Sequence, residues 1–163
     1  MLRRAGLQAL RALLELAQDP ARWRSVNEIA AAQQLPAPML EQLLLQLRRA
    51  ELVEARRGRM GGYRLRHPPA AIPVARVLEA VGAAIDLRAD LESGPRAAES
   101  DAMTSNSDAS DPTDAEQRVI SGMARRLQAA LDRELASLTL EELLFDLSSW
   151  QESLGNAGGV MLG

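Results

Sequence analysis

Five arginines, Arg56, Arg57, Arg59, Arg64 and Arg66, fall within eleven residues, with Gly58, Gly61 and Gly62 among them. A guanidinium presents a planar fork of donors that fits phosphate oxygens, and glycine lets a backbone approach a partner closely. Such a cluster takes an anion. Upstream, Pro38, Glu41, Gln42 and Arg49 recur at helical spacing on one side of a leucine-rich stretch. Gln pairs bidentately with adenine and Glu accepts from the cytosine amino group, each worth about 1–3 kcal/mol of discrimination when the fit is good. Taken alone, the polar pair is also what a solvated helix face shows, and the arginines what a solubilising hairpin shows. Their occurrence in sequence order points to a duplex held by its phosphates and read at its base edges.

Inventory removes most other chemistry. The chain has no Cys and one His, His67, so disulfides, thiolate zinc sites, cysteine nucleophiles and all-cysteine iron-sulfur clusters lack ligands. His67 is read as an ordinary surface residue, and no metal or cofactor site is expected. There is no G-x-x-x-x-G-K-[ST] phosphate loop, and Gly58 to Gly62 is too short and sits in a hairpin. Glu141 and Glu142 stand at a helix start, where acids favour the macrodipole. No catalytic residue is assigned, and the chain reads as a non-enzyme.

Charge is unevenly placed. Residues 1–67 hold twelve Arg against six acids and residues 68–163 seven against sixteen, within a net charge of −3. A basic front and an acidic rear suit a polyanion at one end only. All cations are Arg, which fits guanidinium recognition and fits GC-rich coding equally. With no secretory leader and no apolar run of about 18 residues, a cytoplasmic protein that does not meet the membrane is expected.

Three helices must position these groups. Residues 3–18 repeat Leu7, Leu10, Leu13, Leu14 and Ala17, and Asp19-Pro20 ends the pattern. Ser25 with Glu28 makes a capping box that opens a short second helix through Ile29. Leu35-Pro36-Ala37-Pro38 breaks the chain, and Pro38 suits the first turn of a third helix over 38–50. There Leu40, Leu43, Leu44 and Leu47 form one stripe, leaving Glu41 and Gln42 elsewhere. Residues 52–56 and 63–66 alternate as two strands of a hairpin. A fourth helix spans 73–81, and this head closes near Gly82.

Residues 88–115, with seven acids and no aromatic side chain, bury too little to order themselves. Beyond them Val119, Ile120, Met123, Leu127, Ala130, Leu131, Leu135 and Leu138 stripe a helix of about 22 residues that needs a partner surface. Thr139 with Glu142 forms a second capping box, opening a last helix with Leu140, Leu143, Leu144, Leu147 and Trp150. The ending from Gly155 is expected to fray. The division is a winged helix-turn-helix domain at 1–82, an acidic flexible linker at 83–116, and a dimerisation helix, terminal helix and tail at 117–163. The fold is mainly α, with a small β-hairpin wing and a long dimerisation helix.

The run L-P-A-P-M-L-E-Q-L-L-L-Q-L-R-R-A-E-L-V followed by R-R-G-R-M-G-G-Y-R-L resembles the Rrf-two family of bacterial winged-helix transcription regulators (IscR/NsrR/CymR-like), over roughly residues 5–82. The resemblance implies homodimers on palindromic operators, usually as repressors. It implies that Leu40-Glu41-Gln42 falls on the base-reading motif and Arg57-Gly58 with Gly61-Gly62-Tyr63 on the wing motif. DNA-binding candidates are therefore Pro38, Glu41, Gln42, Arg49, Arg56, Arg57, Gly58, Arg59, Gly61, Gly62 and Tyr63. It further implies that the 117–137 helix crosses its twin, making Val119, Ile120, Met123, Leu127, Ala130 and Leu131 the dimerisation candidates. Met39 stands where the family is usually aromatic, and Gln8 where it commonly has Tyr. Cluster-binding relatives carry three Cys before the long helix; this chain has none, which implies the cluster-free branch, regulated by a partner protein or a small-molecule effector. The alternative is a winged-helix adaptor for another protein without DNA specificity, which would have no need of the excess Arg at the front.

Overall fold

In the computed structural model, residues 3–92 and 112–157 are described. The chain order is α1 (Arg4–Ala17), α2 (Val26–Gln33), α3 (Ala37–Arg49), β1 (Val53–Arg56), β2 (Gly62–Leu65), a 3-10 turn (Pro69–Ala71), α4 (Val74–Ala80), α5 (Leu87–Glu92), α6 (Pro112–Ser137) and α7 (Leu140–Ala157). It divides into two compact units, a head of residues 2–84 with 135–163, and a second unit of residues 85–134.

The head is built on one apolar cluster. Leu13 and Leu16 of α1, Ile29 of α2, Leu40, Leu44 and Leu47 of α3, Leu52, Val53, Ile72, Val77 and Leu78 are fully buried. Each such side chain contributes roughly 1.5–3 kcal/mol by leaving water. The α3 stripe is as the spacing predicts, with Leu43 buried beside the other three. Of the α1 stripe, Leu13 and Ala17 are buried and Leu10 and Leu14 pack against the core, joined by Ala9, Ala12 and Leu16, while Leu7, expected inside, is 49% exposed. The small residues Gly6, Ala9 and Ala12 let neighbouring elements approach α1 closely, so that its narrow side is the buried one.

The helix ends explain the turn between α2 and α3. Ser25 Oγ accepts from the Glu28 N–H at 3.2 Å, and the Glu28 carboxylate accepts from the Ser25 N–H at 2.7 Å. Gln34 adopts a left-handed conformation (φ 53°) after α2, and the Leu35 N–H returns to the Ala30 carbonyl at 2.9 Å. Pro36 then caps α3, with Pro38 inside its first turn. At the far end Glu51 is also left-handed (φ 60°), with the Leu52 N–H bonded to the Leu47 carbonyl at 3.0 Å. That pattern closes a helix and turns the chain at once into β1.

The terminal helix α7 packs with the head, where the sequence reading grouped it with the dimerisation helix. The predicted box is present, Thr139 Oγ1 accepting from the Glu142 N–H at 3.3 Å. Leu140 is fully buried in the head core, and Leu135, Leu138, Leu143 and Leu144 pack against it. Two backbone bonds strap the junction down: Val74 N–H to the Leu138 carbonyl and Leu140 N–H to the Ile72 carbonyl, both 2.9 Å. The long apolar stripe read as continuous from Val119 to Leu138 is therefore divided, its last two leucines belonging to the head.

In the second unit helix enters both ends of the stretch read as linker, since α5 covers 87–92 and α6 begins at Pro112. Residues 93–111, the middle of that stretch, lie outside the described residues, as do 158–163 of the expected frayed tail. Gln128 of α6 holds the chain entering α5: it accepts from the Leu87 N–H and donates to the Ile85 carbonyl, each at 2.9 Å.

Candidate nucleic-acid interface

On α3, Pro38, Glu41, Gln42 and Arg49 are exposed, opposite the buried leucines. The helix is held from behind by its stripe and at its C-terminus by Arg76, whose Nη2 donates to the Ala50 carbonyl at 3.2 Å. Glu41, Gln42 and Arg49 therefore ride on a fixed rod, their side chains exposed and without a hydrogen-bond partner among the described residues.

The wing is an antiparallel pair with Val53 opposite Leu65, Glu54 opposite Arg64, Ala55 opposite Tyr63 and Arg56 opposite Gly62. Its five arginines are not equivalent. Arg64 pairs with its cross-strand neighbour Glu54, and Arg66 with Glu51 at 3.4 Å. Arg56 donates to the Met60 carbonyl across the turn at 2.6 Å and meets no carboxylate among the described residues. Arg57 and Arg59, exposed in the turn, have no side-chain partner among the described residues, and Met60 beside them is 82% exposed. Solvated guanidinium groups at a hairpin tip are the ones available to phosphate.

Gly58, also named with the interface, is exposed and takes a positive φ of 104° in that turn. Gly61, Gly62 and Tyr63 are half-buried and build the wing. A Cβ on Gly61 would stand 2.1 Å from the Arg56 carbonyl oxygen, and one on Gly62 2.3 Å from that of Arg24. The second approach makes room for a pair of backbone bonds the sequence reading did not foresee: Arg24 N–H to the Tyr63 carbonyl at 2.9 Å and Tyr63 N–H to the Arg24 carbonyl at 2.8 Å. The connection between α1 and α2 thus lies along β2 as a third, one-residue strand.

A buried polar network fixes that connection. Arg24 forms an ion pair with Glu15 of α1, their side chains 17% and 10% exposed. Gln33 Nε2 donates to the same carboxylate at 2.7 Å, and Arg11 Nη2 donates to the Gln33 carbonyl at 2.8 Å. An unpaired ion this deep is costly, so the network specifies how α1, α2 and the wing meet. At the surface, the Ser25 bonds and Arg22 hold the Glu28 carboxyl below its ordinary value of 4.5.

On α6, Val119 is 73%, Met123 and Leu127 50% and Ile120 41% exposed. Ala130 is exposed and Leu131 half-buried. The six dimerisation candidates thus share one helix, five of them exposed and Leu131 half-buried. His67 is partly exposed. No group of three or more His, Cys, Asp or Glu that could hold a metal gathers among the described residues, and no described helix is long and apolar enough to cross a membrane.

Residues 2–146 match the Rrf2 family, described as iron-dependent transcriptional regulator. The HTH-type transcriptional regulator slr0846 of Synechocystis is 35% identical over 148 residues, 90% of this chain and 89% of that protein. The regulator IscR of Cereibacter sphaeroides is 49% identical over 57 residues, 35% of this chain and 37% of its own length. Among solved structures, CymR, the global cysteine regulator of B. subtilis, superposes with a TM-score of 0.63 at 26% identity, covering 88% of this chain and 95% of that one. IscR of T. potens gives 0.61 at 26% identity, with 93% and 90% covered. The family's iron finds a poor donor set here: a thiolate-held group has no cysteine to bind in this sequence. With the helix-turn-helix, the wing and these matches together, the chain belongs to the Rrf2 (Rrf-two) family of DNA-binding transcriptional regulators, a family of regulators and not of enzymes.

Proposed function

We propose that the protein binds a palindromic operator as a homodimer and represses transcription there, without an iron-sulfur cluster. In this reading α3 enters the major groove, about 12 Å wide, with Glu41 and Gln42 toward base edges and Pro38 and Arg49 toward the backbone. Arg57 and Arg59 lie against phosphate or in the adjacent minor groove, with Arg56 behind them. The exposed stripe of α6, from Val119 to Leu131, meets its twin and spaces the two heads for half-sites about 34 Å apart or a multiple of it. Repression follows where a bound dimer covers a promoter, and a protein or small-molecule effector supplies the control that a cluster supplies elsewhere.

The observation that carries this reading is the pairing state of the arginines. The two at the wing tip meet no acid among the described residues while Arg64 and Arg66 are paired with Glu54 and Glu51, beside a helix whose polar face is exposed and whose apolar face is buried. An adaptor has no use for unpaired charge at that place. The test is selection of bound duplexes from a random pool, followed by gel shifts. Wild type is expected to enrich a two-fold symmetric site, and Gln42→Ala to lose preference at defined positions at about 1–3 kcal/mol per base pair. A pool that stays random, or a Gln42→Ala profile identical to wild type, rejects the assignment. In vitro transcription from a promoter overlapping the selected site, expected to fall with added protein, separates repression from activation.

A further inference from the structure

We infer that Trp23, the residue entering α2, is a positioning residue for DNA binding, acting through Arg56. This rests on the reading of the wing as a DNA contact. The Trp23 ring, half-buried, meets two guanidinium groups, the Arg64 Cζ 4.4 Å and the Arg56 Cζ 4.7 Å from its centroid. The two neighbours differ in what else they do. Arg64 is neutralised by Glu54, so its stacking closes a structural cluster. Arg56 stands opposite Gly62, which has no side chain, and keeps its charge.

The path to the wing tip is short. Arg56 Nη2 holds the Met60 carbonyl at 2.6 Å, across the turn that carries Arg57 and Arg59. Trp23 is itself held, because Arg24 next to it is bonded twice to the Tyr63 backbone and paired through its side chain with Glu15. The indole thus keeps a long, otherwise mobile arginine in one orientation and with it the shape of the turn. A cationic side chain ordered before binding loses less freedom on meeting phosphate.

The test is an anisotropy titration of the selected operator with wild type, Trp23→Ala, Trp23→Phe, Trp23→Leu, Arg56→Ala and the Trp23→Ala/Arg56→Ala double variant. A stack on a partly exposed guanidinium is worth about threefold in each subunit, so Trp23→Ala is expected to weaken a dimer about tenfold. Phenylalanine, which keeps a ring face, is expected to bind near wild type, and leucine, which keeps only apolar bulk, to fall with alanine. In the Arg56→Ala background the Trp23→Ala change is expected to have almost no further effect, since the residue through which it acts is gone. Independent, multiplying losses, or leucine binding as well as phenylalanine, overturn the inference. The leucine and phenylalanine pair decides the matter even where the alanine variant fails to fold. Wild type that binds no duplex overturns the DNA reading itself, whereas wild-type binding indifferent to Trp23 overturns this inference alone.

Discussion

Replacing Arg57 by alanine tests the division between free and committed arginines. A guanidinium that neutralises a DNA phosphate releases a counterion, and log K falls with log salt by about 0.9 per contact. Arg57 has no side-chain partner among the described residues, so its removal is expected to leave the wing intact and, in the proposed dimer, to take away two phosphate contacts. The slope is then expected to shrink by about 1.8, which at 0.15 M salt corresponds to roughly thirtyfold weaker binding, or about 2 kcal/mol. Arg59→Ala is expected to behave alike. Arg64→Ala is the contrast: its charge is held by Glu54 and its plane by Trp23, so the slope stays near wild type. Its loss appears in folding instead, at about 1 kcal/mol for an exposed pair and one stack, which lowers Tm by about 2–4 °C in a chain of this size. The assay is anisotropy of a labelled operator at four salt concentrations, with thermal unfolding of each variant in parallel. A slope unchanged by Arg57→Ala, or flattened as much by Arg64→Ala, refutes the reasoning that pairing in the free protein decides which arginines bind.

Three further outcomes follow from the same structure. In the proposed dimer, Leu127→Asp puts a carboxylate in the middle of the α6 seam, where an unpaired buried charge costs about 3–5 kcal/mol; light scattering is expected to find wild type dimeric and the variant monomeric at the same concentration, and an unaltered dimer excludes this face. Glu15→Ala leaves Arg24 buried and unpaired and is expected to destabilise the head by about 3–5 kcal/mol in denaturant unfolding, with Arg24→Met restoring part of the loss in the double variant; equal losses in single and double variants contradict the network. The Glu28 carboxyl titrates below its ordinary 4.5 when folded, so its contribution is complete above that value and is lost as pH falls through the folded one; wild type should lose more stability between neutral and acidic pH than Glu28→Gln, and parallel pH profiles would disprove the cap's role.

How much of this was legible depends on how far apart in sequence the partners lie. Both capping boxes, the Pro38 helix start and the α3 stripe involve residues within a turn or two of each other, where spacing alone determines contact. The family resemblance rested on such local runs, and the candidates on α3 are exposed as expected. The wing's five arginines look alike in composition; what sorts them is strand register, which sets Glu54 against Arg64 but Gly62 against Arg56. Register is a non-local quantity, and a slip of one residue would set Glu54 against Tyr63 or Leu65 and leave Arg64 without its acid. Trp23 and Glu15 were passed over for the same reason. One lies in a connection with no periodicity, and the other sits among helix residues whose pattern marks it as solvent-facing until Arg24, nine residues on, is folded back against it. The terminal helix carries a stripe that any apolar surface could cover, and only the two backbone bonds around Ile72 and Val74 select the head. The proposed base-reading residues are thus placed by local spacing, whereas the residues proposed to position the wing are set by pairings between distant segments, which is why Glu41 and Gln42 could be named from spacing and Trp23 could not.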